Sequence, residues 1–132
     1  MEENRLFDNW NRALLVSLQL PTKSTTEVRN SLQELSSLAC SLGGDVAGLV
    51  VQVSSQIHPA NFFGKGKITE IKSILQKDNV DALLVDNQLS PKQIRNLEKL
   101  LECAVLDRTQ LILEIFANQA EQSVMRFIWE AI

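Results

Sequence analysis

The segment Asn61-Phe62-Phe63-Gly64-Lys65-Gly66-Lys67-Ile68 concentrates the residue types best suited to holding an anion. Two glycines let a backbone come close to a ligand, and two lysines add positive charge beside it. The segment leads into a helix whose apolar face is Ile68, Ile71 and Leu75. At such a start, unpaired N–H groups and the helix dipole favour a negative group. Gly64, Lys65, Gly66 and Lys67 are therefore candidate anion-binding residues, for RNA phosphate or for a nucleotide. The structural alternative is a glycine-rich turn that merely begins a helix. Phe62 and Phe63 would either stack on a base or anchor the loop in the core.

Known phosphate motifs fit poorly. A Walker A loop needs glycine where Asn61 stands and Ser or Thr where Ile68 stands. No GxGxxG follows a strand. His58, the chain's single histidine, has no evident nucleophile beside it and reads as a surface or packing residue. Asp86 and Asp107 follow two predicted strands, where catalytic carboxylates often lie. Asp107 reads better as a helix cap and Asp86 as a loop or hinge residue. Cys40 and Cys103 form no CxxC unit, so no structural zinc site is expected, and both read as reduced, buried thiols. No catalytic residue, metal or cofactor is assigned to these residues.

The elements that must hold this loop alternate along the chain. Ala13 to Leu18 reads as a strand. A helix follows from a Ser24/Glu27 capping box, with Val28, Leu32, Leu35 and Ala39 on its core face, and stops at Gly43-Gly44. Val46 to Val53 is nearly all apolar, which predicts a strand covered on both faces. Val80 to Val85 predicts a third strand. Ser90-Pro91-Lys92-Gln93 opens a third helix, with serine as cap, proline at the first position and Gln93 closing the box. Cys103 to Leu106 predicts a fourth strand, and Asp107 caps a final helix. Val124, Phe127 and Ile128 fall on one face of the last dozen residues, a face that the chain's own sheet or a second copy of the chain could cover. The order βαβαβαβα predicts an α/β fold: a four-stranded, mostly parallel sheet with helices on both faces, ending in a C-terminal helix. Ligands in such sheets sit beyond the carboxyl ends of the strands, here the loops after Leu18, Val53, Asp86 and Leu106.

Composition supports an ordinary globular domain, with 45% hydrophobic and 22% charged residues over 132 positions. The net charge of −3 gives no general pull toward nucleic acid. Between Lys65 and Lys99, however, seven basic residues face five acidic ones, whereas the remainder of the chain is acidic. No apolar run reaches the roughly 18 residues of a membrane span. Acidic residues near the N-terminus are unlike a basic signal peptide. The expectation is a soluble, cytoplasmic protein.

Three segments in order resemble the N-terminal domain of HflX-type ribosome-associated GTPases. The first runs from His58-Pro59 through Phe63-Gly64-Lys65-Gly66-Lys67. The second is Leu89-Ser90-Pro91-x-Gln93-x-Arg95-Asn96-Leu97-Glu98, and the third is Asp107-Arg108-Thr109-x-Leu111-Ile112-Leu113-x-Ile115-Phe116-Ala117. The likeness covers roughly 13–120 and makes Arg95 and Arg108 further candidates for anion, RNA or nucleotide binding. It implies a leader at 1–11, an α/β domain at 12–120 and a divergent helical tail at 121–132. In the family this domain precedes a helical hairpin and a GTPase domain, which carries the GTP and Mg²⁺ chemistry. The resemblance implies contact with the large ribosomal subunit or its RNA and a role in tuning GTP hydrolysis. A small-molecule nucleotide site, or a self-associating module, is the alternative.

Overall fold

The computed structural model describes residues 10–131, with side chains at 118 and 120–125 outside the description. The predicted leader therefore lies largely outside the described residues, as does the side chain of Val124. Eight elements alternate: β1 (Arg12–Gln19), α1 (Thr25–Ser41), β2 (Asp45–Val53), α2 (Lys65–Lys77), β3 (Ala82–Val85), α3 (Pro91–Leu101), β4 (Ala104–Asp107) and α4 (Arg108–Ala131). The strands form one sheet in the order β2-β1-β3-β4, every neighbouring pair parallel. The α/β order expected from the sequence is thus the one observed.

Strand order decides which face each helix covers. The β1-to-β2 connection runs one way across the sheet, while the β2-to-β3 and β3-to-β4 connections run the other. Right-handed crossovers then put α1 on one face and α2 and α3 on the other. Side-chain packing follows. Leu14, Val16 and Leu18 of β1 meet Ile68, Ile71 and Leu75 of α2 and Leu97 and Leu101 of α3. Ala13 and Leu15, on the alternate side of the same strand, meet Val28, Leu32, Leu35 and Ala39 of α1 and Leu111 of α4.

The helix boundaries are chemically explicit. Ser24 Oγ accepts from Glu27 N–H while the Glu27 carboxylate accepts from Ser24 N–H, and these bonds hold the Glu27 carboxyl below its usual range. Ser90 and Gln93 repeat the arrangement at α3, with Pro91 in the first turn. Asp107 caps α4 through Gln110 N–H at 2.9 Å, and its other oxygen accepts from Leu89 N–H at 3.1 Å. α4 continues as one helix to Ala131, joining the expected final helix to the expected helical tail at 121–132.

Two expectations need correction. β2 is not covered on both faces. It is the edge strand, and Leu49, Val51 and Val53 are 50%, 42% and 74% exposed. Its apolar run signals burial, but an edge position leaves one flank without a neighbour. Nor are both thiols buried, because Cys40 lies on the exposed face of α1.

Candidate functional site

The loop that leads into α2 is held by side chains from α3. His58 and Phe62 exchange backbone hydrogen bonds of 3.0 and 2.9 Å, and the His58 Nδ1 accepts from the N–H groups of Ala60 and Asn61, both at 3.2 Å. Gln93 donates to the carbonyls of His58 and Pro59, and Asn96 donates to that of Ala60 at 2.9 Å. Phe63 N–H closes a three-residue turn onto Asn61 O at 2.7 Å, and Phe62, between them, has φ 68°. A positive φ is costly for a bulky side chain. Here the cost is offset by burial: Phe62 and Phe63 are 2% and 1% exposed and meet edge to face at 5.0 Å. Both rings therefore anchor the loop in the core, and neither stands on the surface where a base could stack.

Past this anchor the chain emerges as the N-terminus of α2. Gly64 is the N-cap with extended dihedrals and no side-chain cap bond. A Cβ at Gly64 or Gly66 would meet nothing within 4 Å, and neither glycine has a positive φ. The fold itself requires glycine at neither position, and the first N–H groups of α2 have no side-chain cap at Gly64. Lys65 is exposed, with no ion-pair partner among the described residues, and helps line a groove of about 640 Å³ with His58, Asn61, Thr69, Lys72 and Gln76. Lys67 is folded back onto Glu70 at 3.1 Å, its side chain 13% exposed. Lys72 pairs with Glu102 at 3.5 Å. Ile68 packs into the core and offers no oxygen ligand.

The other two candidate arginines lie elsewhere. Arg95 lines a separate cavity of about 390 Å³ with Pro91, Ile94, Asp107 and Thr109, between the starts of α3 and α4. Arg108 lies at the carboxyl edge of the sheet. Its Nη1 donates to Asp86 Oδ1 at 2.9 Å and to Ser31 Oγ at 3.1 Å, and its Nη2 to Glu34. Burial works against the guanidinium charge, but the bonds to Asp86 and Glu34 outweigh it and raise the Arg108 pKa. The structure thus brings Gly64, Lys65, Gly66 and Lys67 together and leaves Arg95 and Arg108 apart from them.

A crevice missed in detail by sequence reasoning opens beside Arg108. β1 and β3 are neighbours whose following connections leave in opposite directions, and at such a switch point the loops part. The resulting cavity, about 340 Å³, is lined by Ser17, Lys23, Glu27, Ser31, Asp86 and Asn87 among others. The Asn87 amide clasps the end of β1, accepting from Leu18 N–H at 2.8 Å and donating to Leu18 O at 3.0 Å. Among the described residues no group of three or more His, Cys, Asp or Glu side chains is placed to hold a metal ion. No helix among them is long and apolar enough to cross a membrane.

Comparison with known proteins agrees with this architecture. The family described as GTP-binding GTPase N-terminal matches residues 29–117. GTPase HflX of Flavobacterium psychrophilum is 34% identical over 118 residues, covering 89% of this chain and 29% of the relative. GTPase HflX of Escherichia coli is 39% identical over 114 residues, covering 86% of this chain and 26% of the relative. The chain thus spans between a quarter and a third of these relatives' length. Among solved structures, that of SsGBP with GDP superposes with a TM-score of 0.62 at 21% identity, over 81% of this chain and 29% of that one. The catalytic domain of an IS607-like serine recombinase does so at 0.53 and 17% identity, over 78% of this chain and 75% of that domain. At these identities the two structures attest the fold alone.

Proposed function

The chain belongs to the GTP-binding GTPase N-terminal family, and from that premise we propose that it is a non-catalytic accessory domain that grips RNA phosphates. Its partner in this reading is the large ribosomal subunit, its place of action the cytoplasm, and its effect on the GTPase portion of full-length relatives regulatory. GTP and Mg²⁺ belong to that portion and not to these residues. The domain proper is taken as 12–120.

One observation carries the reading. The N-terminus of α2 has no side-chain cap, its two glycines have open space where a Cβ would stand, and exposed Lys65 adds charge beside a groove. Unpaired N–H groups on a positive dipole end suit a phosphate oxygen. Arg95 is a peripheral contact in this reading. Arg108, already held by two carboxylates, is a structural clamp. Co-sedimentation with purified large ribosomal subunits at low and physiological salt tests the proposal. Saturable binding that weakens with salt is expected, and absence of binding at both salts would overturn it for this chain.

The switch-point crevice supports a second reading, a small-molecule nucleotide held at the carboxyl edge of the sheet. Two carboxylates, Glu27 and Asp86, line it against one lysine, Lys23, which makes it a poor host for a triphosphate. Titration calorimetry with ATP and with GTP separates the readings, since heat at millimolar nucleotide is expected only of the second. A third surface is one face of α4, where Leu113, Phe116, Phe127 and Ile128 are exposed. We assign it to contact with the portion of full-length relatives beyond this domain, in preference to a homodimer through α4. Light scattering before and after truncation at Ala120 tests that choice, because an α4 dimer would be lost with the truncation.

A further inference from the structure

The two edges of the sheet are treated differently. At β4 the edge is short, and Glu98 reaches over it, its carboxylate 3.4 Å from Val105 N. At β2 the edge is nine residues long and has no such cover among the described residues. No Asp, Glu, Lys or Arg occurs between Asp45 and Lys65, and no proline before Pro59. Long edge strands are normally guarded by charges, prolines or bulges. β2 has one such device, an extra residue where the β1 register shifts between Ala13 and Leu14, and it is regular from Gly48 to Val53.

Backbone and side chains on this stretch point to one kind of partner. Ser54 N–H donates inward to Gln19 O, so by parallel-strand alternation Gln52 and Val50 also face β1. Leu49, Val51 and Val53 then turn their N–H and C=O groups outward. They are the same residues whose apolar side chains are exposed on the α1 side. We propose that β2 pairs with β2 of a second copy of this chain, antiparallel about a two-fold axis through Val51, to make one continuous eight-stranded sheet.

Self-complementarity selects this occupant. About that axis Val51 faces Val51, Leu49 faces Val53, and Val50 faces Gln52, so no charge is buried and no polar group opposes an apolar one on the α1 side. Three directly opposed, hydrogen-bonded pairs supply about six backbone hydrogen bonds. The groove between α1 and β2, about 390 Å³ and lined by Val28, Leu32, Leu49 and Val51 along with Arg29 and Gln33, gives the opposing aliphatic side chains a place to bury. A charged or nucleic-acid partner finds no matching charge on β2 from Gly48 to Val53.

Sedimentation equilibrium of the full chain from micromolar to millimolar concentration tests the pairing. A monomer–dimer equilibrium is expected, and Val51→Lys, which sets two ammonium groups against each other at the axis, should weaken it more than about tenfold. Val51 is already 42% exposed, so circular dichroism should show the monomer fold retained. If that variant fails to fold, Val53→Lys at a 74% exposed position sets an ammonium group against Leu49 on each side of the axis and should also weaken the dimer. A monomer at every concentration, or a dimer whose dissociation constant is unchanged in the folded lysine variant, would overturn the proposal.

Discussion

Arg108 and Asp86 face each other across the carboxyl edge of the sheet, Nη1 to Oδ1 at 2.9 Å, with the Asp86 side chain only 6% exposed. The pair joins the start of α4 to the end of β3, and Ser31 and Glu34 extend it to α1. Removing the guanidinium would leave a nearly buried carboxylate without its partner, which costs more than the pair itself contributes. Arg108→Ala should therefore destabilise the chain by about 2 kcal/mol, read as a lower urea midpoint at unchanged slope. Subunit binding by the folded fraction should not change, in contrast with variants at Lys65.

A close approach of another kind occurs at Gly44, where an added Cβ would collide with the ring of Trp10, itself fully buried. Gly44→Ala forces either the ring or the α1–β2 turn to move. Overpacking of this kind costs about 1–3 kcal/mol, and the thermal midpoint should fall accordingly. The Trp10 emission should shift to the red as its cover loosens.

Gly66 provides the opposite case. Within a helix glycine is less favourable than alanine by about 0.5–1 kcal/mol, and here the new methyl would meet nothing. Gly66→Ala should raise stability by that amount in denaturant titration. If RNA phosphates approach the backbone of α2, the same variant should bind ribosomal subunits more weakly. A gain in stability without loss of binding would remove the backbone from the contact.

Cysteine chemistry separates the two thiols. Burial, helped by the nearby Asp81 and Glu98 carboxylates, pushes the Cys103 thiol up to about 12, while Cys40 is exposed. A disulfide reagent at pH 8 should label Cys40 quickly and Cys103 only on unfolding. The folded state holds the Cys103 proton more tightly than the unfolded chain, whose value is 9.0. That contribution to stability is complete below about pH 9 and is lost as pH rises toward 12. Cys103→Ser should flatten the alkaline limb of the stability profile.

What could be read in the sequence was what neighbours in the chain decide. The Ser24/Glu27 and Ser90/Gln93 boxes, the Asp107 cap and the glycine stop after α1 all act within a few residues, and each is where it was expected. The edge position of β2 was not legible, because an apolar run looks the same whether one strand or two lie beside it. Nor was the role of Arg108, whose partners Asp86, Glu34 and Ser31 stand 22, 74 and 77 residues away. Phe62 and Phe63 could be read either way, since an aromatic pair beside a glycine loop serves a base or a core equally well. Their burial decided it.

The two lysines of the loop differ in a way their spacing does not reveal, and that difference gives the sharpest test of the RNA-binding reading. Lys67 is mostly covered and already paired with Glu70, whereas Lys65 is exposed beside the uncapped turn. An exposed lysine that meets a phosphate releases about one counterion, so its loss reduces the salt slope by about 1. Lys65→Gln should accordingly weaken subunit binding strongly and flatten its dependence on salt. Lys67→Gln should act mainly on α2, loosening Glu70 and changing binding little. Equal losses in the two variants would mean that the net charge of the loop attracts the RNA, and that the geometry at the N-terminus of α2 contributes nothing further.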